Sequence, residues 1–292
     1  MKNSVETKHG SDRRLTVDDW LEAALAFGAN FPRGTIVRNH SRQKHAAALL
    51  ADTREEIRSL GTGIVEYFDS SCPRYEYALA LALEHAPGRV LDLGCSPGHL
   101  GMALLRCGFD VHGLDLNELW LQKYAPGWAE KLQVRHADIE RERIPDNDAS
   151  YDVVMFTEVL EHIAVTDPQV ILADIHRVLR IGGRLILSTP NVANVGNILA
   201  LARGENIFWP PPKFYGSTDR HNREFTPSEL CELLERSGFS TYELGYMNTW
   251  SNWHHVTGPE FHYLHGGGAR ASRLSAQPLF NNTTFAVATR TK

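Results

Sequence analysis

The stretch VLDLGCSPGHLG, residues 90–101, combines an apolar run, one acid and three glycines, a pattern typical of a ligand site. The run predicts a buried strand and the residues after the turn predict a helix, whose first backbone N–H groups face outward. Asp92 closes the strand, where its carboxylate attracts cations and repels phosphates. The spacing of Gly94, Gly98 and Gly101 differs from the G-x-G-x-x-G of dinucleotide-binding folds. We therefore expect a partly cationic ligand.

Two further aspartates close the next two predicted strands. Asp115 ends DVHGLD, about twenty residues past the glycine turn, from where a carboxylate can accept hydrogen bonds from two vicinal hydroxyls. Asp138 ends LQVRHAD, where it can receive an exocyclic amine. Together with Asp92, these carboxylates match an amino-acid ammonium, a ribose diol and an adenine.

A second set of residues has the chemistry to act on a hydroxyl group. Glu158, Glu161 and His162 stand at i, i+3 and i+4, so they share one face of a helix if a helix follows the fourth strand. His221 lies just ahead of a capping box, on a segment that should return to the same edge of the sheet. Carboxylates and imidazoles are the side chains that move protons or bind divalent ions.

The hydrophobic pattern predicts the elements that position these residues. After residue 86, short apolar runs alternate with helical periods, which predicts a parallel sheet covered by helices on both faces. Asp167 and Pro168 indicate the start of a helix, and the pair Gly182–Gly183 indicates its end. Thr226 opens a capping box. Prolines in residues 208–219 predict a loop there, without helix or central strand.

Before residue 86 the pattern is helical. Helix-like segments cover Val17–Phe27, Gln43–Leu60 and Pro73–His85. We predict a helical N-terminal cap over residues 1–85 and a ligand-binding domain over 86–292, with a lid loop at 205–222 and a variable loop at 248–280. The cap and the lid loop are expected to shape the pocket of a second ligand.

Composition limits the function classes. With 42% hydrophobic and 22% charged residues, the 292-residue chain can bury a full core. A net charge of -5 and a pI near 6.3 disfavour nucleic acid as a partner. The N-terminus has no secretory apolar core, and no apolar stretch approaches about twenty residues, so we expect a cytoplasmic protein without membrane contact. The cysteines show no paired metal-ligand spacing and are expected to be buried free thiols. The oligomeric state stays open.

The motifs, in their order, resemble those of the class I S-adenosylmethionine-dependent methyltransferases. The segments that carry the resemblance are VLDLGCSPG, GLDLN, HADIE, YDVVMFTEVLEHI, LRIGGRLILSTPN and REFTPSELCELLERSGF, which run from about Ala86 to Leu244. TTFAVATRT looks like the reversed last strand of that fold. The resemblance implies an α/β domain with a doubly wound, seven-stranded, mostly parallel Rossmann-like sheet whose last strand is antiparallel.

The resemblance also implies a role for each matching residue. The cofactor-binding positions would be Asp92, Gly94, Ser96, Gly98, Asp115, Leu116, Asp138, Ile139, Thr157 and Glu158. Within this set, Asp115 would bind the ribose, Asp138 with Ile139 the adenine, and Thr157 with Glu158 would lie beneath the sulfonium. Ser96 stands where many members have a glycine, so its side chain must point away or contact the cofactor carboxylate.

His162, His221 and Glu161 are the candidate catalytic residues. With Glu158 they resemble the metal-binding set of small-RNA 3′-terminal ribose methyltransferases and ubiquinone-pathway O-methyltransferases. The roles left open are a divalent-ion site, a metal-free base or positioning group, and a purely structural role. The sequence favours the metal-free role, so we expect no metal.

The resulting hypothesis is methyl transfer from S-adenosylmethionine to oxygen on a small metabolite, sugar or glycan intermediate. The alternatives are a metal-dependent RNA ribose 2′-O-methyltransferase and a cofactor-binding pseudoenzyme without catalysis. A nicotinamide oxidoreductase is disfavoured by the glycine spacing.

Overall fold

The computed structural model describes residues 40–60, 64–202, 204–217, 219–247 and 281–292 of the chain. They belong to the second of two compact units, which begins at Arg33. The helices are α1 His40–Leu60, α2 Val65–Ala82, α3 His99–Arg106, α4 Glu118–Tyr124, α5 Pro126–Lys131, α6 Pro168–Val178, α7 Val195–Ala202, α8 Pro211–Gly216 and α9 Pro227–Arg236, with a 3₁₀ turn at Leu160–His162. The strands are β1 Arg89–Leu93, β2 Asp110–Asp115, β3 Arg135–His136, β4 Tyr151–Thr157, β5 Leu179–Pro190, β6 Thr241–Met247 and β7 Thr283–Thr289.

The strands form one seven-stranded sheet in the order β3-β2-β1-β4-β5-β7-β6. β1 pairs in parallel with both β2 and β4, and β5 continues in parallel beside β4. β7 is antiparallel to β5 and β6. This confirms the predicted sheet with its reversed last strand. Because the chain leaves β1 toward one edge and β4 toward the other, the crevice at their carboxyl ends is the switch point where open α/β sheets bind ligands.

Both faces of the sheet are buried, as a continuous apolar pattern in the strands requires. In β1, Val90 packs into the core on one face, while Leu91 and Leu93 pack into the core on the other. The alternation of side chains along a strand produces this division. It leaves the strand ends as the place where polar side chains can reach a ligand.

The helices that precede the sheet share one of these cores. Leu50 and Ile57 of α1 and Phe68 of α2 are almost fully buried, in the same cluster as Val90. Glu56 of α1 also accepts a hydrogen bond from the indole N–H of Trp128, at 2.7 Å. The described helices therefore contribute to the core beside the sheet. The domain boundary at residue 85 stays a prediction.

Capping residues are where the sequence places them. Asp167 caps α6 by accepting a hydrogen bond from the backbone N–H of Gln169. Thr226 and Glu229 form the reciprocal capping box of α9. Both predicted helix starts are confirmed, and the second fixes the end of the segment that carries His221.

Two local predictions are wrong. Helix α6 ends at Val178, and Gly182–Gly183 lie inside β5, where a Cβ on Gly183 would come within 2.9 Å of the Arg180 carbonyl oxygen. Close backbone contact at the strand irregularity explains Gly183, and a φ of +81° explains Gly182. Helix α8 forms in the proline-rich segment because Pro211 and Pro212 occupy its first turn, where no backbone N–H donor is needed.

The predicted helix Val17–Phe27 and the variable loop at 248–280 lie outside the described residues. None of the described helices has the length and apolar character needed to cross a membrane.

Candidate functional site

The glycine turn after β1 brings backbone close to the switch point. Gly94 has φ +72°, and a Cβ there would lie 2.4 Å from a methyl carbon of Val159. Gly98 has φ +87° and forms the N-cap of α3. Only glycine adopts such angles without strain while leaving room for its neighbours. The glycines therefore let the backbone of the turn pack closely against its neighbours.

Beside the turn lies a cavity that is open to solvent, with about 530 Å³ of empty space when the open solvent at its mouth is included. We call it the turn cavity. Its walls come from α2, the turn, the start of α3 and the ends of β4, β5 and β7, through Tyr67, Arg74, Tyr75, Ala78, Asp92, Gly94, Cys95, Ser96, Pro97, His99, Leu100, Thr157, Glu158, Ser188 and Phe285. Five of the residues predicted for the cofactor thus meet in one cavity: Asp92, Gly94, Ser96, Thr157 and Glu158.

Asp92 is the cavity's buried acid. It is 3% exposed, and no described residue donates a hydrogen bond to its carboxylate. Burial, and then the charge of Asp115, raises the pKa of Asp92 to about 7. A carboxylate held in this way is stabilised by a cation that enters the cavity.

Asp115 borders the turn cavity without lining it. Its carboxylate accepts hydrogen bonds from the backbone N–H groups of Ser96, at 2.9 Å, and Asn117, at 2.8 Å. The Ser96 hydroxyl oxygen is buried and has no partner among the described residues. Each Asp115 oxygen keeps a lone pair for a hydroxyl donor. Their roles in binding a cofactor stay predictions.

The remaining predicted cofactor residues lie outside the cavity walls. Gly98 packs toward Leu121, Leu132 and Trp128, where a Cβ would lie 3.2–3.3 Å from their side chains.

Leu116, Asp138 and Ile139 follow β2 and β3 at the same edge of the sheet, and Leu116 is 64% exposed. Asp138 and Ile139 are half-buried, and Ile139 packs against the core.

Sequence reasoning missed Arg74, which reaches the cavity from α2. Its guanidinium donates a hydrogen bond to Glu158, with Nη1 2.7 Å from Oε2, and both side chains are less than a fifth exposed. Burial has the largest single effect and lowers the pKa of Arg74, but the combined attraction of Glu158 and the other acidic groups nearby outweighs it, so the pKa is raised. The other oxygen of Glu158 accepts a hydrogen bond from the Ser188 hydroxyl at 2.7 Å. The signal in the sequence was a lone cation in an apolar helical segment.

His99, at the start of α3, was also missed. It is 1% exposed and packs between aromatic rings, with Phe68 at 5.2 Å and Tyr75 at 5.8 Å between ring centres. Burial lowers the pKa of His99 to about 3, so the ring is neutral. Its Nδ1 lies 3.4 Å from the Tyr75 hydroxyl, while Nε2 has no partner among the described residues.

Beyond Glu158 lies a second group of ionisable residues. Glu161 is fully buried, and its Oε2 accepts a hydrogen bond from the Thr189 hydroxyl at 3.0 Å. Its Oε1 has no hydrogen-bond partner among the described residues, and His162 Nε2 lies 3.9 Å from it. Burial, and then the charge of Glu158, raises the pKa of Glu161 well above its ordinary value. The free oxygen therefore faces a position where a proton or a cation would be stabilised.

Two histidines meet this carboxylate. The rings of His162 and His221 lie 5.1 Å apart, and one ligand atom from each lies within 4.8 Å of the others and of a Glu161 oxygen. His162 Nδ1 donates a hydrogen bond to the Arg220 carbonyl oxygen at 3.1 Å, and His221 Nδ1 lies 2.8 Å from a Glu224 oxygen. These bonds leave the Nε2 lone pairs free. We call Glu161, His162 and His221 the histidine cluster.

Hydrogen bonds to the backbone hold the cluster together across some sixty residues of chain. The backbone N–H of Asn222 donates to the Glu161 carbonyl oxygen at 2.7 Å, and its side-chain amide donates to the His162 carbonyl oxygen at 2.7 Å. A backbone bridge from Asn191 to Phe225 continues this attachment. Burial, and then the neighbouring His221, lowers the pKa of His162, so its ring is neutral near pH 7.

The helix predicted to carry Glu158, Glu161 and His162 does not form. Glu158 has φ +55°, and only the three residues Leu160–His162 make a 3₁₀ turn. The backbone N–H of Glu158 donates a hydrogen bond to the Ser188 carbonyl oxygen at 2.9 Å. In this left-handed conformation the side chain of Glu158 contacts Arg74. The expected quartet is therefore divided into three residues that converge and one that is held apart.

The sequence of residues 68–244 matches the family model described as a methyltransferase domain. The chain belongs to this methyltransferase family. It is 32% identical over 155 residues to the ubiquinone biosynthesis O-methyltransferase of Aeromonas salmonicida, covering 51% of this chain and 62% of that protein. It is 31% identical over 166 residues to the protein of the same name from Aliivibrio fischeri, covering 54% of this chain and 68% of that protein. The matched region is thus about two thirds of these relatives or less.

Solved structures support the same fold. A SAM-dependent methyltransferase from Archaeoglobus fulgidus superposes with a TM-score of 0.52 over 73% of this methyltransferase and 91% of its own chain, at 18% identity. An S-adenosylmethionine-dependent methyltransferase from Mesorhizobium loti gives 0.51 over 76% and 98%, at 19% identity. At these identities the comparison concerns the fold alone.

The turn cavity fits S-adenosylmethionine, the methyl donor that the sequence resemblance implies. The unpaired carboxylate of Asp92 suits the ammonium of the methionine part, and the orphaned Ser96 hydroxyl suits a polar partner. Arg74 offers a cation for the carboxylate.

The lid loop of the methyltransferase approaches the histidine cluster. The Trp209 ring lies 5.4 Å from the ring of His221, and Lys213 Nζ lies 4.0 Å from the centre of the Trp209 ring. Arg220 similarly lies over Phe214 at 5.0 Å. The loop is therefore held by aromatic contacts, and its role over an acceptor stays a prediction.

Proposed function

We propose that the protein transfers a methyl group from S-adenosylmethionine to an oxygen atom of a small-molecule acceptor. The observation that carries this proposal is the histidine cluster. Its first residue, Glu161, lies four residues beyond Thr157 of the cavity wall. A carboxyl group and two imidazoles suit an acceptor hydroxyl that must lose a proton. The names of the relatives, which are O-methyltransferases, support oxygen as the acceptor atom.

On the donor side, the chain's work is binding and alignment. Asp92 holds the ammonium, Asp115 the ribose hydroxyls, and Asp138 with Ile139 the adenine, while Thr157 lies beneath the sulfonium. The bound cofactor would supply the methyl group: the bond between sulfur and this methyl breaks, and its electron pair stays on sulfur. The acceptor oxygen gains that methyl and releases its proton, so the products are S-adenosylhomocysteine, a methyl ether and a proton.

On the acceptor side, the geometry favours a divalent ion over the metal-free role that the sequence favours. Glu161, His162 and His221 would hold it, because Glu161 Oε1 lacks a partner and both Nδ1 atoms are engaged. Metal-binding histidines typically bond their second nitrogen to a carbonyl or a carboxylate in this way. When bound there, the ion would lower the pKa of an acceptor hydroxyl. The chain's own contribution is to place that hydroxyl beside the methyl donor.

The acceptor class is tested by incubating the protein with methyl-labelled S-adenosylmethionine and a panel of small phenols, sugars, glycan fragments and ribo-oligonucleotides. We expect labelled methyl ethers from at least one small molecule and none from the oligonucleotides. The variant His45→Ala, which changes an exposed histidine of α1 outside the histidine cluster, should react as the wild type does. Transfer only to RNA would support the ribose methyltransferase instead. S-adenosylhomocysteine binding without transfer to any member would support the pseudoenzyme.

We also propose a cytoplasmic location. Its support is that Cys72, Cys95, Cys107 and Cys231 are all free thiols, as in proteins of reducing compartments.

A further inference from the structure

One ion pair connects the turn cavity to the residues around the histidine cluster. Arg74 is the one Arg or Lys among the described residues that line the cavity, and its Nη1 is bonded to Glu158 at 2.7 Å. Its other terminal nitrogen donates to the Ser71 hydroxyl at 3.0 Å. A ligand with a carboxylate that enters the cavity therefore finds a single full cation, and that cation already has an anionic partner.

Glu158 is restrained at its backbone by one hydrogen bond and at its carboxylate by two. Its N–H is bonded to the Ser188 carbonyl oxygen, and its φ of +55° is a left-handed conformation that strains a non-glycine residue. The carboxylate is held by only Arg74 and the Ser188 hydroxyl. Loss of the Arg74 bond would leave a partly buried anion three residues from the buried Glu161, where a proton or a cation would stabilise both.

We propose that Arg74 exchanges partners when the methyl donor binds: the donor's carboxylate takes the guanidinium, and Glu158 is released to complete the histidine cluster as a fourth ligand of a divalent ion. This inference rests on the proposed function. Arg74 is then a positioning residue, and the donor and the ion bind cooperatively. Because such coupling is reciprocal, the ion tightens donor binding by the factor by which the donor tightens ion binding.

The test measures Mn²⁺ affinity of the full chain by calorimetry, without nucleoside, with saturating S-adenosylhomocysteine, and with saturating 5′-methylthioadenosine. The last compound keeps the adenosine and the sulfur but lacks the amino-acid carboxylate. We expect S-adenosylhomocysteine to tighten Mn²⁺ binding about tenfold, within the usual range of coupling between sites, and 5′-methylthioadenosine to leave it unchanged. This comparison needs no variant, so it does not depend on a mutant that folds.

Variants identify the residues responsible. In Arg74→Gln, Mn²⁺ binding should be tight without nucleoside and insensitive to S-adenosylhomocysteine. In Glu158→Gln, it should be weak under all three conditions. Arg54→Gln is the matched control, because it breaks an exposed ion pair with Asp69 on the same helices, and it should keep the wild-type coupling.

The outcomes separate the two proposals. Equal Mn²⁺ affinity with S-adenosylhomocysteine and with 5′-methylthioadenosine, when both are bound, would overturn the partner exchange and leave the metal site standing. Absence of Mn²⁺ binding under every condition would overturn the metal site, and the exchange with it. Coupling that survives in Arg74→Gln would assign it to another residue and overturn the role of Arg74.

Discussion

The turn cavity and the histidine cluster lie at the same edge of the sheet but are assembled in different ways. The cavity's acid and glycines come from one continuous stretch, residues 90–101, in which strand, turn and helix follow directly. The cluster joins Glu161 and His162 to His221, a residue that depends on a separate segment bonded back to them. With no ion bound, a donor site whose acid and glycine turn are local and an acceptor site that needs a distant segment should respond independently to substitution.

The largest effect is expected from Glu161→Gln, which keeps the shape of the side chain and removes its negative charge. Turnover should fall by about 10²–10⁴, because this carboxylate holds the ion or the proton at the acceptor. The affinity for S-adenosylhomocysteine, measured by calorimetry in metal-free buffer, should stay within about twofold of the wild type. A parallel loss of cofactor affinity would mean that the two sites are not independent.

Asp92→Asn should have the opposite profile. Loss of a charge-assisted hydrogen bond to the ammonium costs about 1.5–3 kcal/mol, so S-adenosylhomocysteine affinity should weaken about 10- to 100-fold. Mn²⁺ affinity without nucleoside should be unchanged. Asp110 is the first residue of β2, at the end of the strand away from the turn cavity. Asp110→Asn is the matched control and should bind S-adenosylhomocysteine as the wild type does. Wild-type cofactor affinity in Asp92→Asn would refute the placement of the ammonium.

The raised pKa of Asp92 predicts a dependence of cofactor binding on pH. Below about pH 7 the free protein holds a proton on Asp92, and an ammonium can pair with this carboxylate only after the proton leaves. S-adenosylhomocysteine affinity should therefore rise with pH up to about 7 and then level off. Calorimetry in two buffers of different ionisation enthalpy measures the proton released, and Asp92→Asn should abolish it.

The same pKa has a consequence for stability. Because the pKa of Asp92 in the folded protein, about 7, exceeds its ordinary value of 3.8, the folded state keeps a proton that the unfolded chain has lost between these values. The contribution of Asp92 to the free energy of unfolding therefore falls as pH rises through this window. If the free energy of unfolding instead rose with pH across this window, and Asp92→Asn removed that rise, the result would contradict the prediction.

The smallest effect is expected from Asn222→Ala, which removes the side-chain bonds to the His162 carbonyl oxygen and to Arg220. The backbone bond from residue 222 to Glu161 remains. A hydrogen bond contributes about 1 kcal/mol net, which corresponds to about a fivefold change in rate. Turnover should therefore fall about fivefold, because His221 is less well aligned. Cofactor affinity should not change. Turnover equal to the wild type would mean that backbone bonds alone position His221.

The donor side could be predicted because its determinants are local. Strand pattern, glycine turn and helix start lie within a dozen residues, and the strand order follows from the alternation of elements. The capping residues Asp167 and Thr226 acted through neighbours two or three positions away. Signals of this range are present in a sequence without tertiary context.

The acceptor side could not be predicted in the same way, because its determinants are far apart in the sequence. TEVLEHI has helical spacing, but tertiary bonds to β5 hold Glu158 in a left-handed conformation, and no local propensity signals them. The Arg74–Glu158 pair joins residues 84 positions apart, so neither predicts the other. In the lid loop, the proline run was interpreted as a helix breaker, although prolines in a first turn favour the helix that forms there.

The most direct test of the division between donor and acceptor sites is turnover in the presence of a chelator. With excess EDTA, methyl transfer by the wild-type protein should fall at least about a hundredfold, S-adenosylhomocysteine should still bind, and added Mn²⁺ should restore transfer. Full turnover in EDTA would contradict the ion at the histidine cluster and leave Glu161, His162 and His221 as a metal-free base.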